Sequence, residues 1–221
     1  MSLFRKFILH FQNFMLPALF FFLTIHAFSQ LGFSPMKNLE QFKRSLTETA
    51  KNTLTMESRF VQEKNLDVIS EKIISHGNFF FKQQNNLRWE YTDPYRYLII
   101  INGDKIFVKD ENRENRFDAS SNQLFSEINA IMIGCIRGTI LENVKQFSIE
   151  YLENSENYLL KLYPKESRLK NVVAEIRICF IKKTFIVSKI EMHESSGDFT
   201  KIIFSGMKLN NPVGDENFRI N

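Results

Sequence analysis

Hydrophobic and polar residues change their rhythm several times along this chain, and each change predicts an element. Ser34-Pro35 reads as a helix start, because Ser can cap and Pro fits the first helical position. Leu39, Phe42, Leu46 and Ala50 follow at three- and four-residue steps, so Pro35 to about Lys51 reads as an amphipathic helix. From Leu54 the period drops to two: Leu54, Met56, Ser58 and Phe60 alternate with Thr55, Glu57, Arg59 and Val61, the pattern of a strand. Ile73 to Phe81 is a second strand, entered through Gly77. Leu87, Trp89 and Tyr91 alternate with Arg88, Glu90 and Thr92 in a third. Asp93-Pro94 marks a turn, and Tyr95 to Ile101 is a β-branched and aromatic run. Asn102-Gly103 predicts a two-residue type I′ hairpin, with both turn residues at positive φ, leading into Lys105–Asp110. Arg113–Asp118 reads as one more strand.

Ser120-x-x-Gln123 has the form of a capping box, and Leu124, Phe125, Ile128, Ile131 and Met132 make one apolar helical face behind it. Gly134 and Gly138 break that helix, and Thr139–Val144 reads as one more short helical turn. Strand patterns then return at Phe147–Leu152, Tyr158–Tyr163, Val172–Ile181, Phe185–His193 and Phe199–Leu209. Their connections carry turn chemistry, such as Asn154-Ser155-Glu156-Asn157 and Ser195-Ser196-Gly197-Asp198. The reading is mainly β within the α+β class: about eleven strands and two or three short helices. Short connections make the sheet antiparallel, and a sheet this long curls or closes to bury one face.

The first 29 residues stand apart. They hold eight of the 23 Phe, no Asp or Glu, and only Arg5 and Lys6 as basic residues. A short positive start, a 14-residue mostly apolar stretch from Phe14 to Ala27, and Ala27-Phe28-Ser29 as a small-x-small site read as a cleavable signal peptide over residues 1–29. Residues 30–221 are then expected to form a single soluble domain outside the cytoplasm. Without the leader the formal charge falls from +4 to +2, which removes the case for a nucleic-acid partner.

Sites for chemistry are sparse. His76 and His193 carry no metal-binding or catalytic spacing, and no GxSxG, GxGxxG or phosphate-binding loop occurs. Glu57, Glu63, Glu191 and Glu194 read as solvated polar faces of strands. Cys135 and Cys179 leave open a disulfide or two buried thiols. The expectation is a protein that is not an enzyme and uses neither metal nor cofactor. The apolar residues are the alternative source of function: Phe60, Phe79, Phe81, Leu87, Trp89 and Tyr91 lie at alternating positions on three successive strands. Leu39, Phe42, Leu46, Phe125, Ile128 and Met132 offer helical faces to cover them, and a curved sheet under short helices can enclose a cavity for apolar ligands.

Several of these segments occur in a familiar order. Phe60-Val61-Gln62, Gly77 leading Asn78-Phe79-Phe80-Phe81-Lys82, Leu87-Arg88-Trp89-Glu90-Tyr91, Pro94, and Asn102-Gly103-Asp104-Lys105-Ile106-Phe107-Val108 resemble the successive signature segments of LolA-type periplasmic outer-membrane lipoprotein carriers. The closing Asp215-x-x-Phe218-Arg219-Ile220 fits as well. The resemblance implies an incomplete antiparallel β-barrel with a helical lid over a hydrophobic cavity. It narrows the place outside the cytoplasm to the periplasm, and it implies a monomer that takes acylated lipoproteins from an inner-membrane ABC lipoprotein-releasing transporter to the outer membrane, with the acceptor there left open. The family usually has Lys-Arg-Pro where this chain has Lys82-Gln83-Gln84, so the lid-control position is Gln83, which is uncharged and shorter in reach. That departure leaves a second expectation in play: a carrier or accessory for another lipid or lipid-linked pigment, or a lipid-sensing module.

Overall fold

A computed structural model describes residues 32–67, 71–111, 113–118, 133–134, 140–141 and 146–220. The strands are β1 (Ser34–Pro35), β2 (Thr55–Leu66), β3 (Glu71–Lys82), β4 (Asn86–Asp93), β5 (Tyr97–Asn102), β6 (Lys105–Lys109), β7 (Glu114–Asp118), β8 (Phe147–Glu153), β9 (Asn157–Pro164), β10 (Val173–Ile181), β11 (Val187–Glu194) and β12 (Phe199–Leu209). The helices are α1 (Leu39–Asn52) and the single turn α2 (Ser167–Lys170). All twelve strands form one antiparallel sheet in the order β1-β8-β9-β10-β11-β12-β2-β3-β4-β5-β6-β7. Two meanders, β2 to β7 and β8 to β12, are joined where β12 lies against β2, with Phe204 opposite Phe60 and Ile202 opposite Gln62. The ends of the order are unpaired among the described residues, so this is an incomplete barrel, as expected.

Alternation assigns the two faces. Phe60, Phe79, Phe81, Leu87, Trp89, Ile101, Ile106, Leu160, Leu162, Ile178, Phe180, Ile190, Ile202 and Phe204 point inward and are buried. The intervening positions point outward and carry cross-strand ion pairs. Glu63 sits between Lys201 at 2.6 Å and Lys72 at 2.8 Å, and Arg177 reaches Glu191 on β11 at 3.7 Å. Lys201 first, then Lys72, holds the Glu63 carboxyl below its ordinary range, and Lys182 does the same for Glu153. A carboxyl depressed in the fold contributes stability above its unfolded pKa of about 4.3, and that contribution is lost as pH falls through the lower folded value. The urea midpoint should therefore drop between pH 7 and pH 3, and Glu63→Gln should narrow the difference.

Three elements differ from the sequence expectation. Ser34-Pro35 does not start the helix: it pairs as β1 with Glu153 and Leu152, and Ser34 Oγ donates to the Glu153 carbonyl at 3.3 Å. The cap is Asn38, whose Oδ1 accepts from the Gln41 N–H at 3.0 Å, and α1 begins at Leu39. Leu54 lies outside the second strand and is 54% exposed, because the chain is still leaving the helix there. The Asn102-Gly103 hairpin is displaced by one residue. Asn102 pairs with Lys105 at the strand ends, so Gly103 and Asp104 form the turn; Gly103 has φ +60° and Asp104 does not. Glycine at the first turn position is the φ pattern of a type II′ turn, not I′. The expected helix over Leu124–Met132, its capping box at Ser120, and Cys135 lie outside the described residues.

The chain closes on the outer face. A 3₁₀ turn at Asp215–Phe218 packs on β4 and β5. Arg88 donates to the Asn217 carbonyl and Asn102 Nδ2 to that of Phe218, and Lys82 pairs with Asp215. Phe218 is thereby buried. Cys179 is a free thiol, buried with Leu152 and Leu159 outside the barrel interior, and that burial raises its pKa. No helix among the described residues is long and apolar enough to cross a membrane.

Candidate functional site

Inside the barrel, the two halves are filled differently. On the β8–β10 side α1 plugs the interior. Phe42 and Leu46 are buried, and the Phe42 ring packs against Tyr158 at 4.7 Å, Phe180 at 6.0 Å and Phe185 at 6.3 Å between centroids. Under β2, β3, β4 and β12 lies an aromatic cluster. Phe60 meets Trp89 at 4.9 Å and Tyr91 at 5.0 Å; Phe79 meets Trp89 at 5.3 Å and Phe204 at 5.8 Å, mostly in edge-on geometry.

Beside that cluster is a cavity of about 280 Å³. Its walls come from β4 (Leu87, Trp89, Tyr91), β5 (Ile99, Ile101), β11 (Ile190, Met192, Glu194), β12 (Thr200, Ile202) and β2 (Gln62, Lys64), with Ile133 from the segment before β8. Three of the residues singled out in the sequence, Leu87, Trp89 and Tyr91, line it. Phe42, Leu46, Phe60, Phe79 and Phe81 are packed core instead: all are at most 2% exposed, with Phe42 against Tyr158, Phe180 and Phe185, and Phe60 and Phe79 against Trp89. Leu39 packs half-buried against that core. Phe125, Ile128 and Met132 fall outside the described residues. The wall from β5, β11 and β12 was not read from the sequence. Its residues alternate as any strand does, and only the β12–β2 pairing brings those of β11 and β12 opposite β4.

The cavity has a polarity gradient. One end is lined by Leu87 and Ile101, which pair across β4 and β5, while Ile190 and Ile202 stand on the far wall level with Gln62. The other end holds Tyr91, Gln62, Lys64, Glu194 and Thr200. Tyr91 donates its hydroxyl to Gln62 Oε1 at 2.8 Å, and Lys64 lies 3.7 Å from Glu194. Burial pushes the Tyr91 phenol far above its ordinary value; nearby Tyr97 adds to the rise and the Trp89 side chain opposes it. Trp89 Nε1 is buried with no protein acceptor in hydrogen-bonding geometry. The indole N–H acts on the Tyr91 oxygen as a donor that favours the phenolate, but short of good hydrogen-bonding geometry. As the single tryptophan on this wall, Trp89 should report occupancy. Its emission maximum is expected to shift when an acyl-chain ligand enters, and an unchanged spectrum with binding proven by calorimetry would place the ligand elsewhere.

No group of residues suited to a metal ion occurs among the described residues. The fold does set His76 and His193 each beside a carboxylate, which sequence spacing does not indicate. His76 Nδ1 is 3.3 Å from Asp93 and His193 Nε2 is 3.6 Å from Glu191, both on the outer face and away from the cavity.

The family model for the outer membrane lipoprotein carrier protein LolA matches residues 51–221. The chain belongs to the LolA family. The match runs from the end of α1 through β12 to the closing turn. An outer-membrane lipoprotein carrier protein of Nitrosomonas europaea is 27% identical over 175 residues, covering 76% of this chain and 78% of that protein. Its counterpart in Xanthomonas oryzae is 29% identical over 149 residues, covering 66% and 67%. Among solved structures, MucB superposes with a TM-score of 0.53 at 11% identity over 85% of this chain and 65% of its own, a likeness of fold.

Gln83, at the position singled out for lid control, holds the end of α1 through backbone carbonyls. Its Nε2 donates to the Lys51 carbonyl at 3.0 Å and the Thr53 carbonyl at 3.3 Å, at the C-terminus of α1 where helix carbonyls lack partners. Asn210, which no sequence pattern marks, holds the same helix end. Its Nδ2 donates to the Asn52 carbonyl at 2.9 Å, and its Oδ1 accepts from the Leu54 N–H at 2.7 Å. Gln83→Ala in this LolA-family chain should cost about 1–2 kcal/mol for two neutral hydrogen bonds. A thermal melt should fall by roughly 2–8 °C, and Gln83→Arg should restore most of it.

Proposed function

We propose that this protein is a periplasmic carrier that holds the acyl chains of lipoproteins in the barrel cavity and shuttles them from the inner to the outer membrane. The observation that carries the reading is the apolar cavity between β4–β5 and β11–β12, in a chain whose family model spans both walls. The relatives named above are outer-membrane lipoprotein carriers, which supports acylated lipoproteins as cargo. An inner-membrane ABC lipoprotein-releasing transporter is the donor in this reading. What such a carrier must do physically is conceal. Each exposed CH₂ costs about 0.8 kcal/mol in water, so an acylated protein cannot cross an aqueous compartment unaided, and a carrier that hides the chains need make or break no bond. Depleting the protein should strand lipoproteins at the inner membrane, and unaltered sorting in a depleted strain would overturn the reading.

One observation favours a second reading. The cavity lies just under the range of about 300–1,000 Å³ usual for small-molecule pockets and suits one chain better than three. That fits a carrier for another lipid or lipid-linked pigment. Mass spectrometry of the protein purified from its own periplasm separates the two: an acylated peptide supports the first, a free lipid or pigment conjugate the second.

A further inference from the structure

Lipid carrying, the reading on which this inference rests, asks only for apolar walls. The cavity offers more than that. Along β4 its lining residues are Leu87, Trp89 and Tyr91, one stride apart on the same face. Leu87 pairs with Ile101 at the apolar end, and Tyr91 pairs with Tyr97 toward the polar end, where Gln62, Lys64 and Glu194 stand. Trp89 lies between them, 94% buried, and among the described residues its indole N–H has no acceptor in good hydrogen-bonding geometry. The Tyr91 hydroxyl is committed to Gln62. A buried donor left unsatisfied costs about 1–3 kcal/mol, so such a group on a ligand wall marks where an acceptor belongs.

We infer that the ligand is an acyl ester or amide whose carbonyl oxygen accepts a hydrogen bond from Trp89 Nε1. Its hydrocarbon runs toward Leu87 and Ile101, and its polar remainder emerges between Gln62, Lys64 and Glu194. The mixed rim suits a neutral or zwitterionic remainder, since the two charges there offset each other. A plain hydrocarbon fills the same volume and leaves the indole unserved. The site thereby selects the chemical link that joins a chain to its carrier molecule, in addition to the chain.

The single tryptophan makes the test direct, because the protein has one indole ¹⁵N–¹H resonance. Methyl decanoate and undecane are added separately to the ¹⁵N-labelled protein, and affinities for both are measured by calorimetry with the native protein and with Trp89→Phe. The ester should move the indole proton downfield while undecane does not. Trp89→Phe should weaken the ester about fivefold, the equivalent of one neutral hydrogen bond, and leave undecane within twofold. Equal indole responses to the two ligands, or an equal loss of both affinities in Trp89→Phe, overturns the inference while leaving lipid carrying intact. Binding of neither ligand overturns both. The resonance test needs no substitution, so a poorly folding variant does not spoil it.

Discussion

Gly77→Ala is expected to lower the melting temperature by roughly 6–12 °C, or to prevent folding altogether. Gly77 lies in the middle of β3, opposite Phe60 on β2 and Tyr91 on β4. A Cβ there would stand 2.1 Å from the Glu90 carbonyl oxygen and 2.5 Å from Phe60 Cζ. The first of these is backbone at a point where the β3–β4 register already slips, so it cannot yield without breaking the ladder. The second is the ring that packs on Trp89 and Tyr91, so relief on that side disturbs the cavity wall. We assign about 3 kcal/mol, the upper end of ordinary overpacking. A circular dichroism melt checks it, with Gly103→Ala as the contrast. Gly103 has open space around its Cβ and only a positive φ to lose, a cost of about 1–2 kcal/mol. If the two variants melt alike, the crowding at Gly77 is not what holds that position to glycine.

Phe42→Ala is expected to cost about 3–5 kcal/mol, the usual range for removing a fully buried aromatic ring. Phe42 is the main attachment of α1 to the barrel, through Tyr158, Phe180 and Phe185. Its loss should lower the urea midpoint strongly and raise hydrogen exchange in α1 ahead of the sheet. If exchange rises uniformly instead, α1 and the sheet unfold as one unit. Because the lost ring is not on the cavity wall, acyl ligand affinity of the remaining folded protein should change far less than stability does.

The strands were readable because both of their causes are local. Period-two alternation and turn residues such as Ser195-Ser196-Gly197 act within a few positions. Gln83 stands out in the same way, since a motif position is visible without a fold. What could not be read depends on partners distant in sequence. Ser34-Pro35 has good helix-start chemistry, yet Ser34 and Met36 are held by Glu153 and Tyr151, a competition no local rule registers. The same applies to the site. Trp89 and Tyr91 stand out by alternation, but so do Phe60 and Phe79, and only packing separates wall from core. Met192, Glu194, Thr200 and Ile202 carry no local mark at all, and became half of a cavity when β12 met β2.

That meeting has a consequence for how the molecule is built. The β12–β2 seam joins one of the last strands to be made to one of the first, and it lies in the interior of the strand order. Each meander can zip up from neighbouring hairpins, whereas the seam must wait for almost the whole chain. Until then β2 is an open edge bearing Phe60 and Val61, and half of the cavity wall does not exist. A carrier assembled this way cannot take up a greasy ligand early. Its binding competence arrives in the last step of folding, together with the covering of that open edge.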